Sequence, residues 1–243
     1  WGNEPLKSNA DGFLGHWLVK CVQNGSKIIC IDPRLTWWAA RAEYWLPIRP
    51  GTDTALGLAF INTIITEDLY DHDFVENWTI GFEELAERAK EYPAEKVAEI
   101  CHVSSEKIKG AARLYAKSKP AAIQWGLAFD QQKGAMQTCF AATCLMGLTG
   151  HIDNPGGNIL VRNAFNTHRH YNCGEENLSP GREKMKLTFS KVMEGSHMNN
   201  HASSDRILEC LETDDPYKIR MMWIQSSNPL ACPAQDAARC YEA

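Results

Sequence analysis

Carboxylates that follow short apolar runs are the residues of this sequence best suited to hold a ligand. Asp32 comes directly after residues 27–31, a nearly continuous apolar run rich in Ile. In dinucleotide-binding folds an acidic residue at the end of a strand accepts hydrogen bonds from ribose hydroxyls. Asp-Pro is also a common way to begin a turn, and Asp32-Pro33 fits both interpretations.

A second carboxylate, Asp53, follows a loop that begins at Pro50. It is well placed to cap a helix over residues 54–67. It can also accept paired hydrogen bonds from N1 and the exocyclic amino group of a guanine, as a carboxylate does from the two-pronged guanidinium of Arg. The residues alone leave both helix capping and guanine binding open.

The cysteines and histidines give weaker signals. Nine cysteines include no CxxC pair, which argues against a zinc ribbon or an iron–sulfur cluster in this chain, and buried structural thiols are expected. His168, His170 and Tyr171 fit either a functional loop or a solvated extended segment. His197 and His201 have the helical spacing of a zinc pair, but the residues between them are poor helix formers and no third ligand is evident.

Several classes of protein are disfavoured by composition. The net charge is −5 and the basic residues are scattered, which argues against binding to nucleic acid. No apolar run approaches the roughly 20 residues that cross a bilayer, so no direct membrane insertion is expected. The predicted first loop, residues 1–8, contains only one glycine, Gly2. The GxGxxG motif is therefore missing, which disfavours an ordinary NAD-dependent dehydrogenase.

Helical and strand patterns alternate along most of the chain. Helices are predicted over residues 12–23, 54–67, 131–148 and 204–212, several more between 72 and 118, and the start of one near 233. A short helical turn is expected at 37–42. Strands are predicted over residues 27–31, 44–48, 121–126 and 219–225, whereas 153–201 lacks periodicity.

This order predicts an α/β fold, namely a Rossmann-like doubly wound, mostly parallel sheet with helices on both faces. The expected organisation is a binding domain over residues 1–160 with a helical insert at about 68–118, an irregular segment at 161–203, and a return to the same domain at 204–243. Ligands of such sheets bind outside the carboxyl ends of the strands. Five loops should meet there, at residues 1–8, 32–36, 49–53, 126–132 and 226–230.

Two stretches carry a resemblance to a known family. Residues 32–36 (Asp-Pro-Arg-Leu-Thr) and 42–56 (which include Arg-Pro-Gly-Thr-Asp at 49–53) resemble the molybdopterin oxidoreductases of the dimethyl sulfoxide reductase family. The pattern is long and specific. Other stretches agree with the same family in the same order, at residues 1–5, 69–75, 81–85, 148–158 and 226–230.

The resemblance implies a subunit in which two pterin guanine dinucleotides chelate one Mo or W, a bis(molybdopterin guanine dinucleotide) cofactor that supports two-electron redox chemistry, often oxygen-atom transfer. It implies that this chain holds part of the cofactor pocket, without a catalytic residue or a metal ligand. The metal ligand and an iron–sulfur motif are expected before the matched segment. The cofactor contacts that it implies are Trp1, Gly2, Asn3, Ser8, Asp32, Arg34, Thr36, Gly51, Thr52, Asp53, Leu127, Gln131 and Asn228.

The same resemblance sets the expected context. Both ends of the chain look cut from a longer one, so the fragment is expected to be inactive alone and any targeting signal to lie outside it. Expected partners are the rest of the catalytic subunit, an iron–sulfur electron-transfer subunit of the kind used in anaerobic respiration, and a small-molecule substrate. The compartment stays open between periplasm or cell envelope and cytoplasm. Two alternatives remain, a non-redox hydratase of the same family and a nucleotide-binding module without redox chemistry.

Overall fold

The computed structural model describes residues 1–7, 13–129, 131–159, 204–225 and 237–242. The chain divides into two compact units, Trp1–Arg162 and Asn163–Ala243. The first unit contains the predicted strand-end loops that the structure describes, so most of the candidate site lies there.

A small parallel sheet lies near the start of the first unit. Strand β1 (Ile29–Ile31) pairs with β2 (Tyr44–Leu46), with Cys30 opposite Trp45. A 3₁₀ turn at Ala39–Arg41 lies between them in sequence. Both strands are shorter than predicted, but their parallel pairing with helices around them agrees with an α/β fold.

Helices make up most of the first unit. They are α1 (Phe13–Gln23), α2 (Asp53–Thr66), α3 (His72–Trp78), α4 (Phe82–Lys90), α5 (Ala94–Cys101), α6 (Ser105–Lys117) and α7 (Ala135–Thr149). Helix α2 is central, because it packs against α4, α5, α6 and α7. Its apolar side chains Leu56, Ile61 and Ile64 are fully buried, as expected of a helix that is apolar on nearly every side.

Helices α2 and α7 approach each other closely at one point. A Cβ atom placed on Gly57 of α2 would lie 2.8 Å from the Cβ of Ala141 of α7. Two small residues therefore allow the two backbones to come together. Near the first turns of both helices the hydroxyls of Thr54 and Thr138 are hydrogen-bonded at 2.8 Å.

Two predicted strands are not strands in the structure. Residues 121–126 form no ladder with another strand, because the Ile123 backbone is bonded instead by the side-chain amide of Asn158, at 2.8 and 2.9 Å. Residues 219–225 of the second unit are also not a strand, and Met221 and Trp223 are 84% and 82% exposed. An apolar run without a neighbouring strand in the described part of the chain cannot form sheet hydrogen bonds.

The second unit is described only in part. It contains α8 (Ser204–Thr213) and α9 (Ala237–Glu242), and Arg239 donates two hydrogen bonds to the Glu212 carboxylate at 2.8 and 2.6 Å. Helices were predicted close to both positions. Across the described ranges of both units, no helix is long and apolar enough to cross a bilayer.

Candidate functional site

The first loop lies between β1 and residues 124–126. The Trp1 backbone nitrogen donates to the Gln124 carbonyl at 2.8 Å, and the Trp1 carbonyl accepts from the Gly126 N–H at 3.3 Å. On the other side, the Gly2 N–H donates to the Ile31 carbonyl at 2.9 Å. These three bonds place Trp1 and Gly2 beside the residue that precedes Asp32.

The Trp1 side chain contacts the second predicted carboxylate. Its indole Nε1 donates to Oδ1 of Asp53 at 2.8 Å. Asp53 is only 7% exposed and is the first residue of α2. The unpaired N–H groups at a helix start favour a negative charge there, which stabilises the buried carboxylate.

The capping role predicted for Asp53 is wrong. Thr52 holds the N-cap position of α2 with no side-chain capping bond, and its hydroxyl donates to the Arg49 carbonyl at 2.7 Å. Asp53 lies one residue inside the helix, so its carboxylate is directed to Trp1. Gly51 has a φ of +83°, and no atom of the described residues lies within 4 Å of the position that a Cβ would take, so these residues leave the loop backbone open to a ligand.

Asp32 holds its own loop together. The 3%-exposed carboxylate accepts from the Arg34 backbone N–H at 2.8 Å and from the Arg34 guanidinium at two distances of 3.3 Å. The bond from a carboxylate to the N–H two residues later is an Asx turn, so the turn-forming role is observed. The bond from Arg34 to Asp32 also raises the pKa of the guanidinium above its usual value. The Arg34 side chain is 69% exposed and therefore accessible to an anion.

Thr36 closes the same loop. Its hydroxyl accepts from the Ala39 N–H at 3.2 Å, at the start of the 3₁₀ turn, and lies 3.9 Å from the Cys30 sulfur. On the next strand, the Trp45 indole donates to the Asp32 carbonyl at 2.9 Å. The loop that carries Asp32 and Arg34 is thus fixed at both its ends.

Residues 126–128 lie against the first loop on the side away from β1. The position of a Cβ on Gly126 would overlap Asn3, and that on Gly2 would lie 2.9 Å from the Cβ of Ala128. Both glycines therefore permit the close approach of the two segments. Leu127 is 66% exposed and the Gln131 side chain is also exposed, so both are accessible to a bound group.

One candidate was missed from the sequence. The amide nitrogen Nε2 of Gln132 is buried and has no hydrogen-bond partner in the described part of the chain. Buried polar atoms are rarely left unpaired, so an acceptor on a ligand would complete its bonding. The sequence offers no signal that distinguishes Gln132 from its exposed neighbour Gln131.

Several predicted residues lie outside the described part of the chain. They are Ser8, Asn228, His168, His170, Tyr171, His197 and His201. Among the described residues, no cluster of His, Cys, Asp and Glu has an arrangement that could hold a metal ion. Cys30 and Cys101 are buried as expected, and burial raises the pKa of both thiols, whereas Cys21 of α1 is exposed.

A cavity of about 590 Å³ lies along β1 and residues 118–124. Of the predicted contacts that the structure describes, only Trp1 and Asn3 line it. Its wall comes mainly from apolar side chains such as Leu18, Ile29 and Ile123. Asp32 and Asp53 are not among the residues that line it.

Comparison with known proteins identifies relatives over most of the chain. A family model described as molybdopterin oxidoreductase matches residues 8–241. Acetylene hydratase of Syntrophotalea acetylenica is 46% identical over 143 residues, which are 59% of this chain and 20% of that protein. The probable oxidoreductase YoaE of Bacillus subtilis is 30% identical over 94% of this chain and 31% of its own length. Formate dehydrogenase H of Escherichia coli is 35% identical over 65% of this chain and 22% of its own length.

A solved structure has a similar fold. Acetylene hydratase from Pelobacter acetylenicus superposes with a TM-score of 0.64 at 33% sequence identity, covering 84% of this chain and 31% of that one. The chain spans about a fifth to a third of the length of these relatives. The relatives are enzymes, and they include redox enzymes and a hydratase. With the family model covering nearly all of its residues, the chain belongs to the molybdopterin oxidoreductase family, whose cofactor is a pterin that carries Mo or W.

Proposed function

We propose that this chain forms part of the binding site for one molybdopterin guanine dinucleotide in the catalytic subunit of a Mo- or W-dependent oxidoreductase. The observation that carries the proposal is the buried Asp53 carboxylate at the start of α2, held by the Trp1 indole at 2.8 Å. A carboxylate in that position can accept hydrogen bonds from N1 and the amino group of a guanine.

The surrounding residues fit such a group. Arg34 has an exposed guanidinium that can bind a phosphate oxygen, and an ion pair with the Asp32 carboxylate holds this guanidinium in place. Gly51 leaves its loop backbone open, and Gln132 has a buried donor without a partner in the described part of the chain. In this proposal Gly2, Asn3, Thr36, Thr52, Leu127 and Gln131 line the remainder, Ser8 is a further contact, and Asn228 contacts the cofactor nearer the other dinucleotide.

We also propose that the fold is a Rossmann-like doubly wound parallel sheet with helices on both faces. Trp1 and Gly2 are hydrogen-bonded to Ile31 on one side and to residues 124–126 on the other, and this backbone pairing beyond β1 and β2 supports the proposed doubly wound parallel sheet. The domain limits proposed are 1–160, with a helical insert at about 68–118, an irregular segment at 161–203, and 204–243.

In this function the chain binds and orients, and the metal supplies two-electron chemistry when the cofactor is bound. The chain is expected to be inactive alone, since the metal ligand, the second dinucleotide site and any iron–sulfur cluster would come from elsewhere in the catalytic subunit. An iron–sulfur electron-transfer subunit and a small-molecule substrate are the proposed partners.

A second candidate function is hydration without net redox change. It is favoured by one observation, the 46% identity to acetylene hydratase over 143 residues. The loops that carry the proposed cofactor contacts would serve a hydratase and a redox enzyme equally, because both would bind the same cofactor. Assays of the full-length protein for a redox half-reaction with an artificial electron acceptor, and for hydration of an alkyne, separate the two.

The test of the binding proposal is Asp53→Ala in the full-length protein. We expect guanine nucleotide and metal content per protein to fall sharply, since a hydrogen bond to a charged group contributes about 1.5–3 kcal/mol. The matched control is Asp73→Ala, which removes an exposed carboxylate from the first turn of α3. Normal nucleotide and metal content in Asp53→Ala would refute the assignment.

A further inference from the structure

The ring of Trp1 is held by the protein on several sides. Its centroid lies 4.9 Å from that of Phe129 in an edge-on contact at 83°, and 6.3 Å from that of Phe60 at 43°. Gly57 borders the ring as well, because a Cβ there would lie 3.7 Å from the Trp1 ring, an ordinary van der Waals distance. The direction of the indole N–H is therefore set by packing.

An indole N–H can only donate, and an ionised carboxylate can only accept. The bond of 2.8 Å from Trp1 thus commits one lone pair of Asp53 Oδ1 and fixes the carboxylate's orientation. No other hydrogen bond to this carboxylate is found within the described residues. Since a carboxylate has about four acceptor sites, both oxygens can still accept from a ligand.

We propose that Trp1 is a positioning residue which orients the Asp53 carboxylate, so that its two oxygens meet the N1 and amino hydrogens of a guanine. This inference rests on the proposed function and assigns Trp1 a different role from the direct cofactor contact expected from the sequence. Trp1 acts on base selectivity through Asp53. A base that lacks the 2-amino group can donate to only one of the two oxygens, so its affinity should depend little on this orientation.

The experiment compares two probes, guanosine diphosphate and inosine diphosphate, which differ only in the 2-amino group. Binding to the full-length protein, prepared free of cofactor, is measured by calorimetry. The wild type should prefer the guanosine probe by roughly ten- to a hundredfold, the value of one hydrogen bond to a charged group. In Trp1→Phe the preference should fall towards unity, because the ring stays but the donor is lost.

The matched control is Trp45→Phe. Trp45 also donates an indole hydrogen bond of 2.9 Å, but to the backbone carbonyl of Asp32. Loss of this hydrogen bond should lower the affinity for both probes by the same factor and leave the ratio of the two affinities unchanged. If Trp1→Phe fails to fold by circular dichroism, Phe129→Leu keeps the indole, loosens its packing, and should lower the ratio by a smaller factor.

The outcomes separate the two proposals. If Asp53→Asn leaves the affinity for the guanosine probe unchanged, the proposed guanine site is wrong. If Asp53→Asn abolishes the preference while Trp1→Phe weakens both probes equally or changes neither, the guanine site stands and the positioning role of Trp1 is refuted.

Discussion

A buried carboxylate loses hydration that hydrogen bonds from the protein or a ligand must replace. Asp32 receives three such bonds, all from Arg34, and these stabilise its own loop. Asp53 receives one within the described residues, from Trp1, and lies at the positive end of α2. Of the two residues, Asp53 therefore has the greater capacity left for a ligand.

Substitution of Asp32 by Asn tests this difference. Asn keeps an oxygen for the Arg34 N–H but loses the ion pair, which is weak because the guanidinium is 69% exposed. We expect urea denaturation to show a loss of about 1 kcal/mol in the free energy of unfolding. Cofactor content should fall less than in Asp53→Ala, and an equal or greater fall would contradict this ranking.

His151 should make the first unit sensitive to mild acid. Its ring is 1% exposed and lies beside the Tyr115 carbonyl, and burial lowers its pKa below the usual 6.5. The folded state therefore favours the neutral ring. The stability from this preference is complete above pH 6.5 and is lost as the pH falls through the lower pKa of the folded protein.

The measurement is the free energy of unfolding of wild type and His151→Gln between pH 7.5 and 5, in roughly half-unit steps. The wild type should lose more stability over this range than the variant. The Asp71 carboxylate does not interfere, because its backbone bond from Phe74 and its bond from Lys119 lower its pKa below 3.8. Equal acid dependence in wild type and His151→Gln would contradict the prediction, and exposed His72→Gln is the matched control.

At the scale of elements, helices could be predicted well because their signals are local. The periodicity and the stop signals at Asn24-Gly25 and Gly150 placed α1 and α7, and Gly150 does end α7 in the left-handed conformation. Strands could not be predicted as well, since an apolar run becomes a strand only when a partner lies beside it. Residues 121–126 illustrate this, because they are bonded instead to Trp1 and Asn158.

Substitution by Ala should change stability in opposite directions at two helical glycines, Gly57 of α2 and Gly147 of α7. Gly57→Ala would place a Cβ 2.8 Å from that of Ala141 and should destabilise the first unit by about 1–3 kcal/mol. Gly147→Ala, also in a helix, would meet among the described residues only the Thr79 methyl, at 3.9 Å, and should stabilise by about 0.5 kcal/mol. Thermal melting of both variants tests this, and a stable Gly57→Ala would show that the helices can separate.

At the scale of the whole molecule, the site is assembled from segments far apart in sequence. Asp32 and Asp53 could be identified as candidates from their positions after apolar runs. The Trp1–Asp53 bond could not, because it joins residues 52 positions apart and depends on how α2, Phe129 and the first loop pack. The spare donor of Gln132 likewise appears only once the loop before α7 is folded.

The isolated chain should bind the cofactor poorly. It spans about a fifth to a third of its relatives' length, and in the proposed function the rest of the cofactor pocket comes from elsewhere in the catalytic subunit. We expect purified chain to contain negligible Mo or W by elemental analysis and to bind the dinucleotide far more weakly than the full-length protein. Retention of a dinucleotide at nanomolar affinity would contradict this expectation.

A crystal structure of the full-length protein with its cofactor bound would locate the guanine. We predict that N1 and the 2-amino group of one guanine lie within hydrogen-bonding distance of the Asp53 carboxylate, with Trp1 still bonded to Oδ1. A guanine bound elsewhere, for example in the cavity along β1 and residues 118–124, with Asp53 facing only protein, would contradict the proposed site.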